Sequence, residues 1–168
     1  MKTYTHNALV DLARRFLIGQ KCNIVITEMA SGAGQEPDAI GWPWDGWSIL
    51  IECKASRADF LSDKKKGTRM GGVSMGAYRY YLAPRGLIDI SELPNGWGLL
   101  EPYGKGAGKR MESRCFGEYS TRNEALLLIS AMRRLKFTDQ PGIRVRQYQI
   151  IGESANRATL GIRTEDGK

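Results

Sequence analysis

The chain has 168 residues and a formal net charge of +7, from 25 Lys and Arg against 18 Asp and Glu. Its length is one domain's worth, enough to bury a core without staples, and 42% hydrophobic with 26% charged residues excludes both a disordered chain and a membrane-embedded one. The basic surplus points to a polyanionic partner, with an ordinary basic protein as the plain alternative, since charge does not fix function.

Leu9, Leu12, Ala13, Phe16 and Leu17 recur at helical spacing and predict an amphipathic helix from about Thr5 to Ile18, with Gly19 as its stop. CNIVITEM is rich in β-branched residues and reads as a strand. SGAGQEP is a loop, DAIGWPW a short extended piece, DGW a turn, and SILIECK a second strand. Residues 57–66 fit a helix with Phe60 and Leu61 on one side and a basic end, followed by the glycine-rich GTRMGGVSMG. AYRYYLAP is a strand ended by Pro84, and WGLLEPY is another after a turn at Pro94–Gly96. GKGAGKR reads as an exposed basic loop. Thr121 and Glu124 make a T-x-x-E capping box for a second amphipathic helix, with the stripe Ala125, Leu128, Ile129, Met132 and Leu135. A turn follows at Asp139–Gly142, and the tail from Ile143 predicts one or two edge strands.

Strands and helices are interspersed, so the expected class is α/β: a mixed central sheet with helices packed on it. No linker divides the chain, which reads as a single domain with a core of about 5–137 and an extension of about 138–168. Cys22, Cys53 and Cys115 form no CxxC pair and His6 is the only histidine, which argues against a disulfide framework or a Cys/His zinc site. No apolar run has signal-peptide character or approaches the ~20 residues of a membrane span. The expected location is the reducing cytoplasm, with no membrane partner.

The chemistry concentrates between Glu28 and Lys66. Along SILIECK side chains alternate faces, so Glu52 and Lys54 share one, at the end of an apolar strand. Burying such a pair costs several kcal/mol unless each finds a partner. The plain reading is a surface ion pair at a strand end. Asp38 lies fourteen residues before Glu52, and a turn at Asp45–Gly46 would double the chain back and bring the two together. Two carboxylates and a lysine suit a hard divalent cation and a water nucleophile. Mg²⁺ takes one or two carboxylates and keeps several waters, can lower the pKa of one, and can stabilise charge on a phosphate. The lysine can orient or deprotonate the water, or hold the phosphate.

The pattern EPD…ILIECK resembles the PD-(D/E)xK nuclease superfamily, with Asp38 as the PD aspartate and Glu52-x-Lys54 as the E-x-K. The following KASRADFLSDKK is similar to the E-V-K-x-S-R-x-D-F-x-x-D-x-K stretch of small MmcB-like, DNA-repair-associated nucleases. The match covers Glu28 to Leu82, about a third of the chain. The resemblance implies a restriction-endonuclease-like core with a mixed sheet of four or five strands. It implies a phosphodiester hydrolase acting on DNA in repair, recombination or phage DNA processing. Asp38, Glu52 and the backbone carbonyl of Cys53 would bind Mg²⁺ or Mn²⁺, and Lys54 would position the attacking water. Many members add a glutamate from the first helix. Asp11 is the only acid in that helix here, so Glu28 at a strand end is favoured for the further ligand, against the plain reading of an exposed edge residue. Small nucleases of this kind often cut both strands as homodimers, although no self-complementary surface is legible here.

For nucleic-acid contacts the candidates are Arg57, beside the proposed site, the run Lys64, Lys65 and Lys66, then Arg69, and Arg79 among Tyr78, Tyr80 and Tyr81. The plain readings are a solvated helix end for the lysines, a helix cap for Ser56 or Asp59, and at least one core tyrosine. Trp42, Trp44 and Trp47 read as a hydrophobic cap over the sheet or as a stacking platform. GKGAGKR is not a Walker loop, because Arg110 stands where Ser or Thr is needed. The alternative function is a non-catalytic nucleic-acid-binding module on the same fold. No short signature separates RNA from DNA.

Overall fold

A computed structural model describes residues 3–65 and 73–135, all within one compact unit, Met1–Leu135. Lys66, Arg69 and the extension with its expected edge strands lie outside the described residues.

The first helix, α1, runs His6–Gly19. Thr5 caps it by accepting from the Ala8 N–H at 3.3 Å. Leu9, Val10, Ala13, Phe16 and Leu17 form its buried face, one residue changed from the predicted stripe, with Val10 in and Leu12 half-buried. Gly19 is helical, and the left-handed position falls on Lys21, with φ 61°.

β1 (Ile24–Thr27), β2 (Ala39–Trp42) and β3 (Ile49–Cys53) form an antiparallel meander. Its second turn is the expected one. Gly46, at φ +79°, donates to the Pro43 carbonyl at 3.1 Å, and Asp45 Oδ1 accepts from the Trp47 N–H at 3.1 Å. β4 (Tyr78–Leu82) pairs parallel to β3, which demands a crossover, supplied by α2 (Arg57–Lys65). β5 (Gly98–Tyr103) is parallel to β4, and a short 3-10 turn at Ile90–Glu92 lies in that connection. α3 (Thr121–Arg134) closes the described chain.

The segment expected as a loop, GKGAGKR, is instead largely strand β6 (Gly106–Met111), antiparallel to β5, so the sheet has six strands in the order β1 to β6. Its glycines carry no strand pattern, and the ladder to β5 decides its conformation. The class is α/β with a mixed sheet flanked by helices, and no helix among the described residues is long and apolar enough to cross a membrane.

The sheet is covered on both faces. α1 packs against Ala39, Ile51, Tyr80, Leu82 and Leu100. On the other face Ile40, Leu50, Tyr81 and Leu99 meet Phe60 of α2 and Leu127 of α3. Burying a side chain such as Phe60 contributes ~1.5–3 kcal/mol.

α3 corrects two expectations. Its N-cap is Ser120, which accepts from the Asn123 N–H at 3.3 Å, and Glu124 turns inward rather than back to a capping box. The buried Glu124 carboxylate accepts from Trp42 Nε1 at 3.0 Å, Ser48 Oγ at 2.6 Å and the Gly76 N–H at 2.9 Å. The helix therefore rotates so that Glu124, Leu127, Leu128 and Ala131 face the sheet, while Ala125, Ile129, Met132 and Leu135 are exposed. Satisfying three buried donors outweighs a slightly better apolar stripe. Gly76 is required here: its φ is +91°, and a Cβ would stand 2.6 Å from Leu50 Cβ.

Candidate active site

Antiparallel register decides what the sheet edge collects. Thr27 faces Ala39 and Ala39 faces Ile51, so one step further Glu28 stands across from Asp38 and Asp38 across from Glu52. The Glu28 N–H donates to the Asp38 carbonyl at 3.3 Å, which continues the ladder. Glu52 in turn pairs with Tyr81 of β4. The hairpin thus places the two sequence-predicted carboxylates in one row, with Glu28 beside them. Burial rises along it: the side chains of Glu28 and Asp38 are 45% and 19% exposed, and Glu52 is 1% exposed.

Asp38 is held from two sides. Its Oδ2 accepts from the Cys53 N–H at 2.6 Å, and its Oδ1 lies 3.7 Å from His6 Nε2. The contact from Cys53 is thus its backbone N–H. His6 Nε2 also lies 3.0 Å from Glu28 Oε1. Thr5 starts α1 so that its first residue, the lone histidine, overhangs the carboxylate row. In the sequence His6 bears only on the absence of a Cys/His zinc site. Its position in the first helix, where the resemblance sought an acid, was the available signal. Glu28 itself sits at φ 43°, just past the end of β1, which turns its side chain away from the regular strand direction.

Lys54 lies at the end of the same strand and is 5% exposed. Its ammonium lies 3.5 Å from Asp63 Oδ1 and 4.0 Å from Asp59 Oδ1, and 5.9 Å from the centre of the Tyr81 ring. The buried Asp63 also accepts the Tyr81 hydroxyl at 2.9 Å. The lysine is therefore steered by α2. Asp63 and Asp59 stood inside the quoted D-F-x-x-D stretch, yet only the packing of α2 over β3 and β4 reveals that they meet Lys54. Ser56 is the residue that caps α2, accepting from the Asp59 N–H at 3.2 Å. Cys53 faces the other way, into the α1 core, and burial pushes its thiol well above the usual range.

The predicted nucleic-acid contacts fare differently. Arg79 is corrected from surface to core. It is 3% exposed, its guanidinium donates to the carbonyls of Ser74, Met75 and Gly76 at 2.9–3.1 Å, and it stacks on Phe116 at 4.0 Å. Burial lowers its pKa and Glu124 opposes that shift. Arg57 is exposed, but its fork grips the Glu92 carboxylate and the Leu87 carbonyl, and the Glu92 hydrogen bonds raise its pKa. It ties α2 to the β4–β5 connection. Lys64 and Lys65 end α2. Tyr80 and Tyr81 are both core, on opposite faces. The tryptophans separate: Trp42 is core, Trp44 is exposed, and Trp47 lies 6.2 Å from the Tyr119 ring.

The donor set is hard. Among the described residues no group of three or more His, Cys, Asp or Glu is spaced to hold a metal ion. Magnesium asks less, since one or two carboxylates and its own waters suffice. Asp38 and Glu52 in one row meet that requirement.

No family model and no curated protein matches the chain. Among solved structures it is similar to a protein of unknown function from Silicibacter pomeroyi, at 22% identity and a TM-score of 0.60, over 80% of this chain and 90% of that one. That likeness supports the fold.

Proposed function

We propose that the chain is a divalent-cation-dependent nuclease that hydrolyses DNA phosphodiester bonds, on a restriction-endonuclease-like core. The observation that carries this reading is the row Asp38–Glu52, formed by a hairpin at the end of β3 and completed by Lys54 two residues on. Glu52 is buried at the same strand end as Lys54, whose ammonium Asp63 compensates. The resemblance to PD-(D/E)xK nucleases and the sequence of helix, strand and helix around the motif add to it.

Asp38 and Glu52 would hold Mg²⁺ or Mn²⁺, which supplies Lewis-acid stabilisation of the phosphate and acidifies bound water. The Cys53 N–H orients Asp38, leaving its other oxygen 3.7 Å from His6 Nε2. Lys54 carries positive charge at the row's edge, where it orients a water and counters charge growing on the phosphate. Hydrolysis adds water across a P–O bond, giving a phosphate monoester and an alcohol.

One observation favours a second reading, a nucleic-acid-binding module: the Lys54 ammonium is engaged by Asp63 and Asp59. Incubation with plasmid, linear, branched and single-stranded DNA, with and without Mg²⁺ or Mn²⁺, separates the two. The nuclease cuts at least one substrate only with the cation, and Asp38→Asn and Glu52→Gln each abolish cutting. Binding without cutting under every cation selects the module.

A further inference from the structure

We propose that the loop after β4 and the β5–β6 hairpin form a DNA track, with Arg85 and Arg110 on backbone phosphates and Tyr103 stacking on a base. The choice of partner rests on the nuclease reading; the surface itself is argued from the fold. β3, β4 and β5 run parallel, so their C-terminal ends share one sheet edge with Asp38, at the start of the antiparallel β2. The Lys54 N–H donates to the Leu82 carbonyl at 2.9 Å, and the Ala83 N–H to the Leu100 carbonyl at 3.1 Å. Arg85 stands two residues beyond Ala83, and its neighbour Gly86 donates to Glu101 Oε1 at 3.3 Å. The carboxylate row and Arg85 are therefore on the same edge, and the β5–β6 turn, with Gly104 at φ +56°, closes it.

Two grooves open there, of about 370 Å³ and about 270 Å³, and Arg85, Glu101 and Arg110 line both. Both guanidiniums are exposed, and among the described residues neither is in an ion pair. Lys109 is left out of the track because Glu112 holds its ammonium at 2.8 Å. Tyr103, at the hairpin tip, is 81% exposed and lines the second groove beside Arg110. Charge on an edge strand also discourages pairing with other chains. That role asks nothing of Arg85, which is on a separate loop and shares both grooves with Arg110. Strands lie ~4.8 Å apart, so β6 stands ~14 Å from β3. At ~3.4 Å of axial rise per nucleotide, the track meets the backbone about four nucleotides from the carboxylate row.

The test is binding of the full chain to a fluorescent duplex across a salt series without divalent cation, beside cleavage with Mn²⁺. The variant Arg85→Ala/Arg110→Ala should bind more weakly at low salt. Its log–log salt slope should shrink by about 0.9 per guanidinium removed, with unchanged melting. Tyr103→Ala should weaken single-strand binding at unchanged slope. Arg122→Ala is the control: it is exposed on α3, whose cap Ser120 donates to Ser74 at the opposite sheet edge. A wild-type slope in the double variant overturns the track even where the wild type cuts DNA. The predicted loss in a chain that never cuts supports the track and removes the nuclease. No binding by the wild type at low salt overturns both.

Discussion

Lys54 and Asp63 are 5% and 3% exposed and sit 3.5 Å apart, so each is the other's compensation for leaving water. Asp63→Asn should cost about 3–5 kcal/mol of stability by leaving the lysine short of a counter-charge. On the proposed nuclease reading it should also slow cleavage by roughly 10–100-fold, the scale of a ~1 Å misplacement of a reacting group. The diagnostic is the pair. Lys54→Met/Asp63→Asn should regain stability relative to Asp63→Asn and should cut no more slowly than Lys54→Met alone. An additive loss of cleavage would show that Asp63 acts elsewhere. The cysteines offer a second check at this scale. All three are free thiols; Cys22 and Cys53 are buried, with the Cys22 thiol pushed up to about 11 by burial, while Cys115 is exposed. Thiolates do the attacking, so iodoacetamide at neutral pH should add once to the native chain, at Cys115, and three times after denaturation, read by intact mass.

α3 is attached by an apolar face, Leu127, Leu128 and Ala131, and by one buried carboxylate. Glu124 serves three donors from β2, the residue before β3, and the segment before β4. Glu124→Ala leaves Trp42, Ser48 and Gly76 donors buried without that acceptor, at ~1–3 kcal/mol each and not additive. A loss of at least ~3 kcal/mol, or a fall in Tm of about 6–12 °C, is expected in thermal melts. Glu124→Gln keeps one acceptor oxygen and should lose less. Arg122→Ala, exposed on the same helix, should stay within ~0.5 kcal/mol. If Glu124→Ala melts with the wild type, the apolar face and the remaining hydrogen bonds hold the helix without the carboxylate. The element also shows why periodicity misplaced the buried face. Ala125, Ile129 and Met132 are as helically spaced as Leu127, Leu128 and Ala131, and the choice between the two faces is made by contacts up to 82 residues away.

At the scale of the whole molecule, the carboxylate row exists only when β2 and β3 have paired. A cation that binds it therefore stabilises the folded state by mass action, by ~2.7 kcal/mol at a hundredfold excess over its Kd. Mn²⁺ should raise the Tm of the wild type, and Asp38→Asn and Glu52→Gln should each lose that shift. A shift that survives in both variants places the cation elsewhere. The net charge of +7 acts at the same scale and should make nucleic-acid affinity fall with salt.

Local pattern determined what local physics controls. The spacing of Leu9, Ala13, Phe16 and Leu17 specified α1, the β-branched and apolar runs specified β1 and β3, and strand alternation put Glu52 and Lys54 on one face before any fold was known. The proline, the turn residues and the fourteen-residue spacing even implied that Asp38 returns to Glu52. Only the tertiary structure decided the rest. β6 is a strand because β5 offers it a ladder. Arg79 is core because three carbonyls and Phe116 enclose it, although its neighbours read as a nucleic-acid surface. His6 reaches Glu28 across 22 residues, and Asp63 reaches Tyr81 across 18. Periodicity reports which residues of one element share a face. It carries no information on what that face will meet, because the partners of a buried charge are chosen by packing between elements far apart in the chain.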